Sequence, residues 1–301
     1  MVELTEKINK LKVEKDAVIL AHNYQIGEVQ LIADHLGDSL ELSRLAANVK
    51  NKIIIFAGVK FMAETAKILS PKKKILLPRL DAGCPMADMI TVDELRYLKE
   101  QHPKAKVVTY VNSGAGIKAE SDACCTSSNA VAVVSNIDAD EIIFIPDRNL
   151  GSYVQSLVTD KKLILFEGYC YVHNRIKKGE ITDMKELYPK AKFIAHPEVR
   201  SEIAEMADEI LSTSGILKYA SSSDSEEFIV ATEEGLLERM RRENPDKKFY
   251  PALRPKICQN MKRTTLNDVY LSLKHEKYEI EVDDEIAKKA LRSLNEMLKY
   301  V

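Results

Sequence analysis

What the 301-residue sequence lacks narrows it first. It has no excess of either charge, since 44 Lys and Arg against 46 Asp and Glu leave a formal net charge of -2. A chain so balanced has no global attraction for nucleic acid or for an anionic membrane surface, and neither is expected as a partner. No apolar run approaches the roughly 20 residues that span a bilayer. Met1 to Lys15 is charged and helix-like, without the apolar stretch of a secretory signal, so a cytoplasmic location is expected. The five cysteines include no C-x-x-C pair, and their odd number in a reducing compartment argues against a disulfide framework.

What remains is an ordinary globular composition, 45% hydrophobic and 30% charged, long enough for a substantial core in one large domain or two to three small ones. The chain repeats itself. The apolar run Ile53 to Gly58 leads through a helical stretch to Leu69, then lysines, then Ile75-Leu76-Leu77 and Cys84. The same order returns from Glu141 to Cys170, and again from Glu227 to Cys258. Upstream of each lies another strand-like segment: Ala17 to Ala21 before His22-Asn23-Tyr24, Lys106 to Tyr110 before Val111-Asn112-Ser113, and Lys192 to Ala195 before His196-Pro197-Glu198. A segment rich in Ser, Thr and Asp follows each time, at Asp38-Ser39, Thr126-Ser127-Ser128 and Ser212-Thr213-Ser214. The cysteines are spaced by 86 and 88 residues.

Short apolar strands alternating with helices imply parallel sheets of βαβ units. The repeat predicts an α/β protein of three similar three-layer αβα domains about a pseudo-threefold axis. The expected boundaries are 1–84 with 259–301, 85–170 and 171–258. The segment after Cys258 is too short for a fourth unit and is expected to pack on the first.

Ligands of open α/β sheets bind beyond the carboxyl ends of the strands. The loops after each first strand belong there, and so do the Ser/Thr segments if each caps the helix that follows. Three such helix starts around one axis favour a polyanionic ligand. The equivalent positions of Cys84, Cys170 and Cys258 make three thiolates converge. Three thiolates can hold zinc or an iron–sulfur cluster, and no local cysteine run separates the two. Cys124 and Cys125 have no counterpart in the other units and read as packing residues.

Eight strings in order along the whole chain resemble quinolinate synthase of bacterial and archaeal NAD biosynthesis: Ala21-His22-Asn23-Tyr24-Gln25, Gly37-Asp38-Ser39-Leu40, Phe61-Met62-Ala63-Glu64, Cys84-Pro85-Met86-Ala87, Tyr110-Val111-Asn112-Ser113, Pro146-Asp147-Arg148-Asn149-Leu150-Gly151, His196-Pro197-Glu198 and Asn260-Met261-Lys262. The resemblance implies condensation of iminoaspartate with dihydroxyacetone phosphate to quinolinate, releasing phosphate and water. It implies a [4Fe–4S] cluster on Cys84, Cys170 and Cys258 whose open iron meets the substrate. It implies iminoaspartate supplied by an aspartate oxidase or dehydrogenase. Residues that match as acid–base groups are His22, Tyr24, Tyr110, His196 and Glu198. Those that match as substrate binders are His22, Ser39, Tyr110, Asn112, Ser127, His196, Glu198, Ser212 and Thr213. Condensation, imine formation and dehydration all move protons, for which His, Tyr and Glu are suited. Two departures are visible. Val199 stands where some family members carry a further cysteine, and Cys124-Cys125 is not the spaced pair that some bacterial members have. An iron–sulfur hydro-lyase acting on a small hydroxy acid, a cluster-based sensor and a zinc hydrolase are the competing readings.

Overall fold

The computed structural model describes residues 2–300. The first unit runs α1 (Val2–Glu14), β1 (Ala17–His22), α2 (Gly27–Ile32), β2 (His35–Gly37), α3 (Ser39–Asn48), β3 (Ile53–Ala57), α4 (Lys60–Leu69) and β4 (Lys74–Leu76). The second follows as α5 (Val92–Gln101), β5 (Lys106–Tyr110), α6 (Ala115–Ala119), β6 (Ala123–Cys125), α7 (Ala130–Asn136), β7 (Glu141–Ile145), α8 (Arg148–Leu157) and β8 (Lys162–Leu165). The third opens with a short extra helix, α9 (Tyr171–Asn174), then α10 (Lys178–Leu187), β9 (Lys192–Ala195), α11 (Ser201–Ala204), β10 (Glu209–Ile210), α12 (Thr213–Ser222), β11 (Glu227–Ala231), α13 (Glu234–Glu243) and β12 (Lys248–Pro251). Two helices end the chain, α14 (Leu266–His275) and α15 (Asp284–Met297).

Three parallel four-stranded sheets result, with the orders β2-β1-β3-β4, β6-β5-β7-β8 and β10-β9-β11-β12. The orders are one topology used three times, as the repeat predicts. In each the chain leaves its first strand toward one edge and crosses back to the other, so a crevice opens beyond the carboxyl ends of the two central strands.

Alternation along the strands decides which side of each sheet faces the middle of the molecule. Val18, Leu20, Ile54 and Phe56 of the first sheet join Val108, Ile142 and Phe144 of the second and Ile194, Phe228 and Val230 of the third in one continuous apolar cluster. Their neighbours face outward into separate clusters, Ile19 and Ile55 under α1 and α14, Val107 and Ile143 with Leu95, and Phe193 and Ile229 with Ile181. Both faces are covered, which is why the strands read as unbroken apolar runs rather than as alternating ones.

Two features differ from the sequence expectation. The short edge strands β2, β6 and β10 are two or three residues each, too brief to leave a period in the sequence. The tail does not stay on the first unit. Helix α14 packs against α1, but α15 lies on α6 and β6 of the second unit. There Ser293 Oγ donates to the Lys118 carbonyl at 2.8 Å and Asn129 Nδ2 donates to the Met297 carbonyl at 3.1 Å. The buried stripe Ala290, Leu294 and Met297 drives that docking, and a helix stripe does not encode which unit will cover it.

Candidate active site

Where the carboxyl ends of the three sheets meet, a cavity is lined from all three units by His22, Tyr24, Ser39, Tyr110, Asn112, Ser127, His196, Glu198 and Thr213, together with Cys84, Cys170 and Cys258. Of the residues singled out from the sequence, Ser212 alone is not in its lining. Ser212 Oγ instead accepts the Gly215 N–H at 3.2 Å as the cap of α12. Its register mate in the first unit is Asp38, which caps α3 by accepting the Glu41 N–H at 3.0 Å. Because Asp38 and Ser212 are the caps, Ser39 and Thr213 begin their helices and face the cavity. Ser127, the matching residue of the second unit, faces it as well.

His22 ends β1 and His196 follows β9, and the two rings are held alike. His22 Nδ1 accepts the Tyr24 N–H at 3.1 Å, and His196 Nδ1 accepts the Glu198 N–H at 3.4 Å. These bonds assign the hydrogen of each neutral ring to Nε2, and His196 Nε2 donates it to Ser127 Oγ at 3.2 Å. Burial lowers the pKa of His22 to about 4 and that of His196 to about 3, against the raising influence of nearby carboxylates. Both are neutral donors at neutral pH. In the second unit Tyr110 occupies the same register, so the cavity has histidine on two of its three walls and a phenol on the third.

Glu198 is the charge at the centre. Burial opposes its ionisation, but His173 and His196 beside it, with hydrogen bonds from His173 and Tyr110, hold it below the ordinary carboxylate range. Its Oε2 lies 2.7 Å from His173 Nδ1 and 3.8 Å from His196 Nδ1. Asn149 Nδ2 donates to the Glu198 carbonyl at 3.0 Å and fixes the backbone across the unit boundary. Burial and the Glu198 charge push the phenols of Tyr24 and Tyr110 well above their usual range, so both keep their protons. The Glu198 carboxylate, the neutral rings of His22 and His196 and the phenols of Tyr24 and Tyr110 therefore share one space.

His173 extends this set in a direction the sequence reading missed. Its Nε2 is 3.0 Å from Thr232 Oγ1, which is 2.8 Å from the Tyr24 hydroxyl. With Nδ1–H directed at Glu198, Nε2 accepts from Thr232 and Thr232 accepts from Tyr24. The result is an unbroken line Tyr24–Thr232–His173–Glu198. The signal for His173 was its place three residues after Cys170, one helical turn along α9. Thr232 had only its place just beyond β11.

Burial raises all three thiols of the cavity, Cys84 to about 12. Main-chain N–H groups two or three positions on act against that rise, those of Met86 and Ala87 at Cys84, His173 at Cys170, and Asn260 and Met261 at Cys258. Among the described residues, the set of potential ligand atoms lying within 4.8 Å of one another is Cys170, His173 and Glu198. The three cysteines face the same cavity without forming such a set. Cys124 and Cys125 lie elsewhere, fully buried, with Cys124 Sγ 3.3 Å from Ser293 Oγ under α15.

Comparison with known proteins agrees with this site. Residues 6–299 match the family model described as quinolinate synthetase A protein. Quinolinate synthase 2 of Methanosarcina acetivorans is 54% identical over 295 residues, covering 98% of this chain and 95% of its own. The quinolinate synthase of Alkaliphilus metalliredigens is 50% identical over 296 residues, 98% of each chain. That of Clostridium kluyveri is 52% identical over 295 residues, 98% of this chain and 97% of its own. No helix of the described residues is long and apolar enough to cross a membrane. The chain belongs to the quinolinate synthase family, enzymes of NAD biosynthesis.

Proposed function

We propose that the chain condenses iminoaspartate with dihydroxyacetone phosphate to quinolinate, releasing phosphate and two waters, and that Cys84, Cys170 and Cys258 hold a [4Fe–4S] cluster. The overall reaction balances without an oxidant, so the protein must bind anions and move protons. The observation that carries the reading is the meeting, in one cavity, of a thiol from each unit with an ionised Glu198 and a ring of donors. When bound, the cluster supplies an iron without a protein ligand, able to polarise a substrate oxygen as a Lewis acid.

The side chains divide the remaining work. Ser39, Ser127 and Thr213, with Asn112 and the neutral rings of His22 and His196, bind the carboxylates and the phosphate. Asn112 Oδ1 is buried without a protein partner and is free to accept from a substrate hydroxyl or N–H, leaving Nδ2 as the donor toward an anion. Glu198 takes a proton from substrate carbon. Tyr24 and Tyr110 give protons to departing or developing oxygens, and the line through Thr232 and His173 couples Tyr24 to Glu198. The boundaries 1–84 with 259–301, 85–170 and 171–258 describe the three units that close on the site, α15 lending its stripe to the second. An imine of aspartate hydrolyses in water, which favours direct supply from an aspartate oxidase or dehydrogenase in a cytoplasmic setting.

Anaerobic turnover tests the reading. Iminoaspartate generated in place plus dihydroxyacetone phosphate should yield quinolinate and phosphate in equal amounts, from protein that carries iron and sulfide. Dehydration of a hydroxy acid without phosphate release would instead mark a hydro-lyase. One ion per chain without sulfide would favour a single metal on Cys170, His173 and Glu198.

A further inference from the structure

The repeat carries a second pattern beneath the cysteines. In each unit the helix after the third strand in sequence is bonded to the cysteine loop in the same register. Lys60 N–H donates to the Ala82 carbonyl at 2.9 Å, Arg148 N–H to Gly168 at 2.9 Å, and Glu234 N–H to Lys256 at 3.0 Å. Each acceptor lies two residues before a cysteine. The residues that begin these helices, Val59, Asp147 and Glu233, are therefore equivalent, and two of the three are buried carboxylates.

Both carboxylates do the same two things. Asp147 Oδ1 accepts the Asn149 and Leu150 N–H groups at 2.8 and 3.0 Å, capping α8, while Oδ2 accepts the N–H of Cys170 at 3.2 Å. Glu233 Oε2 accepts the Gly235 N–H at 2.7 Å, capping α13, while Oε1 accepts the N–H of Cys258 at 3.0 Å. A cap needs one oxygen, and the second is spent on a cysteine each time. Glu233 also pairs with Lys262, whose Nζ donates to the Tyr24 carbonyl at 2.7 Å. The approach there is close enough to require glycine: a Cβ on Gly235 would lie 2.7 Å from Lys262 Nζ and 2.9 Å from the Gln25 carbonyl oxygen.

We propose that Asp147 and Glu233 are positioning residues of the cluster, each fixing one ligand loop by accepting the cysteine's own N–H. Glu233, through Lys262, also ties the Cys258 loop to the Tyr24 loop of the first unit. The first unit has no such brace, since Val59 stands in register and lines the cavity. This inference rests on the three cysteines holding the cluster.

An amide cannot replace either carboxylate. It offers one oxygen, and its NH2 must then face either the helix N–H groups or the cysteine N–H. Asp147→Asn and Glu233→Gln are thus expected to release iron to a chelator about 10- to 100-fold faster than the wild type, the range usual for a lost partner behind a metal ligand. Glu233→Asp keeps two acceptors, as the second unit does, and should recover most of the retention. Thr91→Ala removes the cap of α5, which touches no cysteine. It should lower the melting temperature while leaving iron release at the wild-type rate. The measurement is anaerobic chelator-driven loss of the visible cluster absorption, well below the melting transition, with melting of the metal-free proteins alongside. If Asp147→Asn and Glu233→Gln melt lower but release iron at the wild-type rate, the two carboxylates are caps only and the proposal is wrong. If the wild type itself holds no iron and sulfide, the cluster assignment fails instead.

Discussion

Replacing Glu198 by Gln exchanges one oxygen for an NH2 and deletes the only charge held below its ordinary pKa in the centre of the cavity. The side chain is 4% exposed, so solvent cannot substitute for what is lost. Volume is conserved and Asn149 still holds the Glu198 carbonyl, which keeps the loop in place. The charge-assisted bond from His173 at 2.7 Å disappears, a loss of about 1.5–3 kcal/mol, but so does the cost of burying an anion. Net stability should therefore change by no more than about 1–2 kcal/mol. Turnover should not be spared. An amide cannot take a proton, and loss of a general base lowers kcat by about 100- to 10,000-fold. The variant should retain iron and sulfide and bind both substrates, since the hydroxyls and the two neutral histidines remain. Anaerobic assay of quinolinate, normalised to cluster content, measures the effect. A kcat within about twofold of wild type would remove Glu198 from the chemistry and leave it only as the group that orients His173 and His196.

Cys84→Ala, Cys170→Ala and Cys258→Ala should each lose the iron–sulfur absorption, whereas Cys124→Ala should keep it at a stability cost of about 1 kcal/mol; an intact cluster in Cys258→Ala refutes the ligand set. Thr232→Val removes the hydroxyl joining Tyr24 to His173 at constant shape, and kcat should fall about tenfold with KM little changed, as for one lost hydrogen bond. Because burial holds His22 at about 4 in the folded protein against 6.5 ordinarily, the unfolded chain takes up the proton first. Stability should then fall as pH drops below 6.5 and level off near 4, by on the order of 3 kcal/mol for His22, with His196 acting in the same direction. Urea unfolding between about pH 7 and about pH 5 reads this directly, and a flat profile contradicts it.

The sequence by itself determined the local architecture. Runs such as Ile53 to Ala57 and Glu141 to Ile145 are strands wherever they are placed, because both faces are apolar and the flanks are helical. Recurrence in register then made Cys84, Cys170 and Cys258 equivalent before any coordinate was known, and symmetry of that kind implies a shared site. The hydroxyls Ser39, Ser127 and Thr213 were legible for the same reason. What the sequence left undecided were matters of side-chain direction across unit boundaries. Whether Ser212 or Thr213 would face the cavity turned on which residue capped α12. His173 on α9 and Thr232 in the loop after β11 are 59 residues apart, and only packing brings them within 3.0 Å. The docking of α15 on the second unit, the burial that lowers His22 and His196, and the placing of His173 and Tyr110 against Glu198 all depend on the closed tertiary structure. Hydrophobic period and turn chemistry act over a few residues and are written in the chain, whereas desolvation and charge proximity exist only once three sheets have closed around one volume.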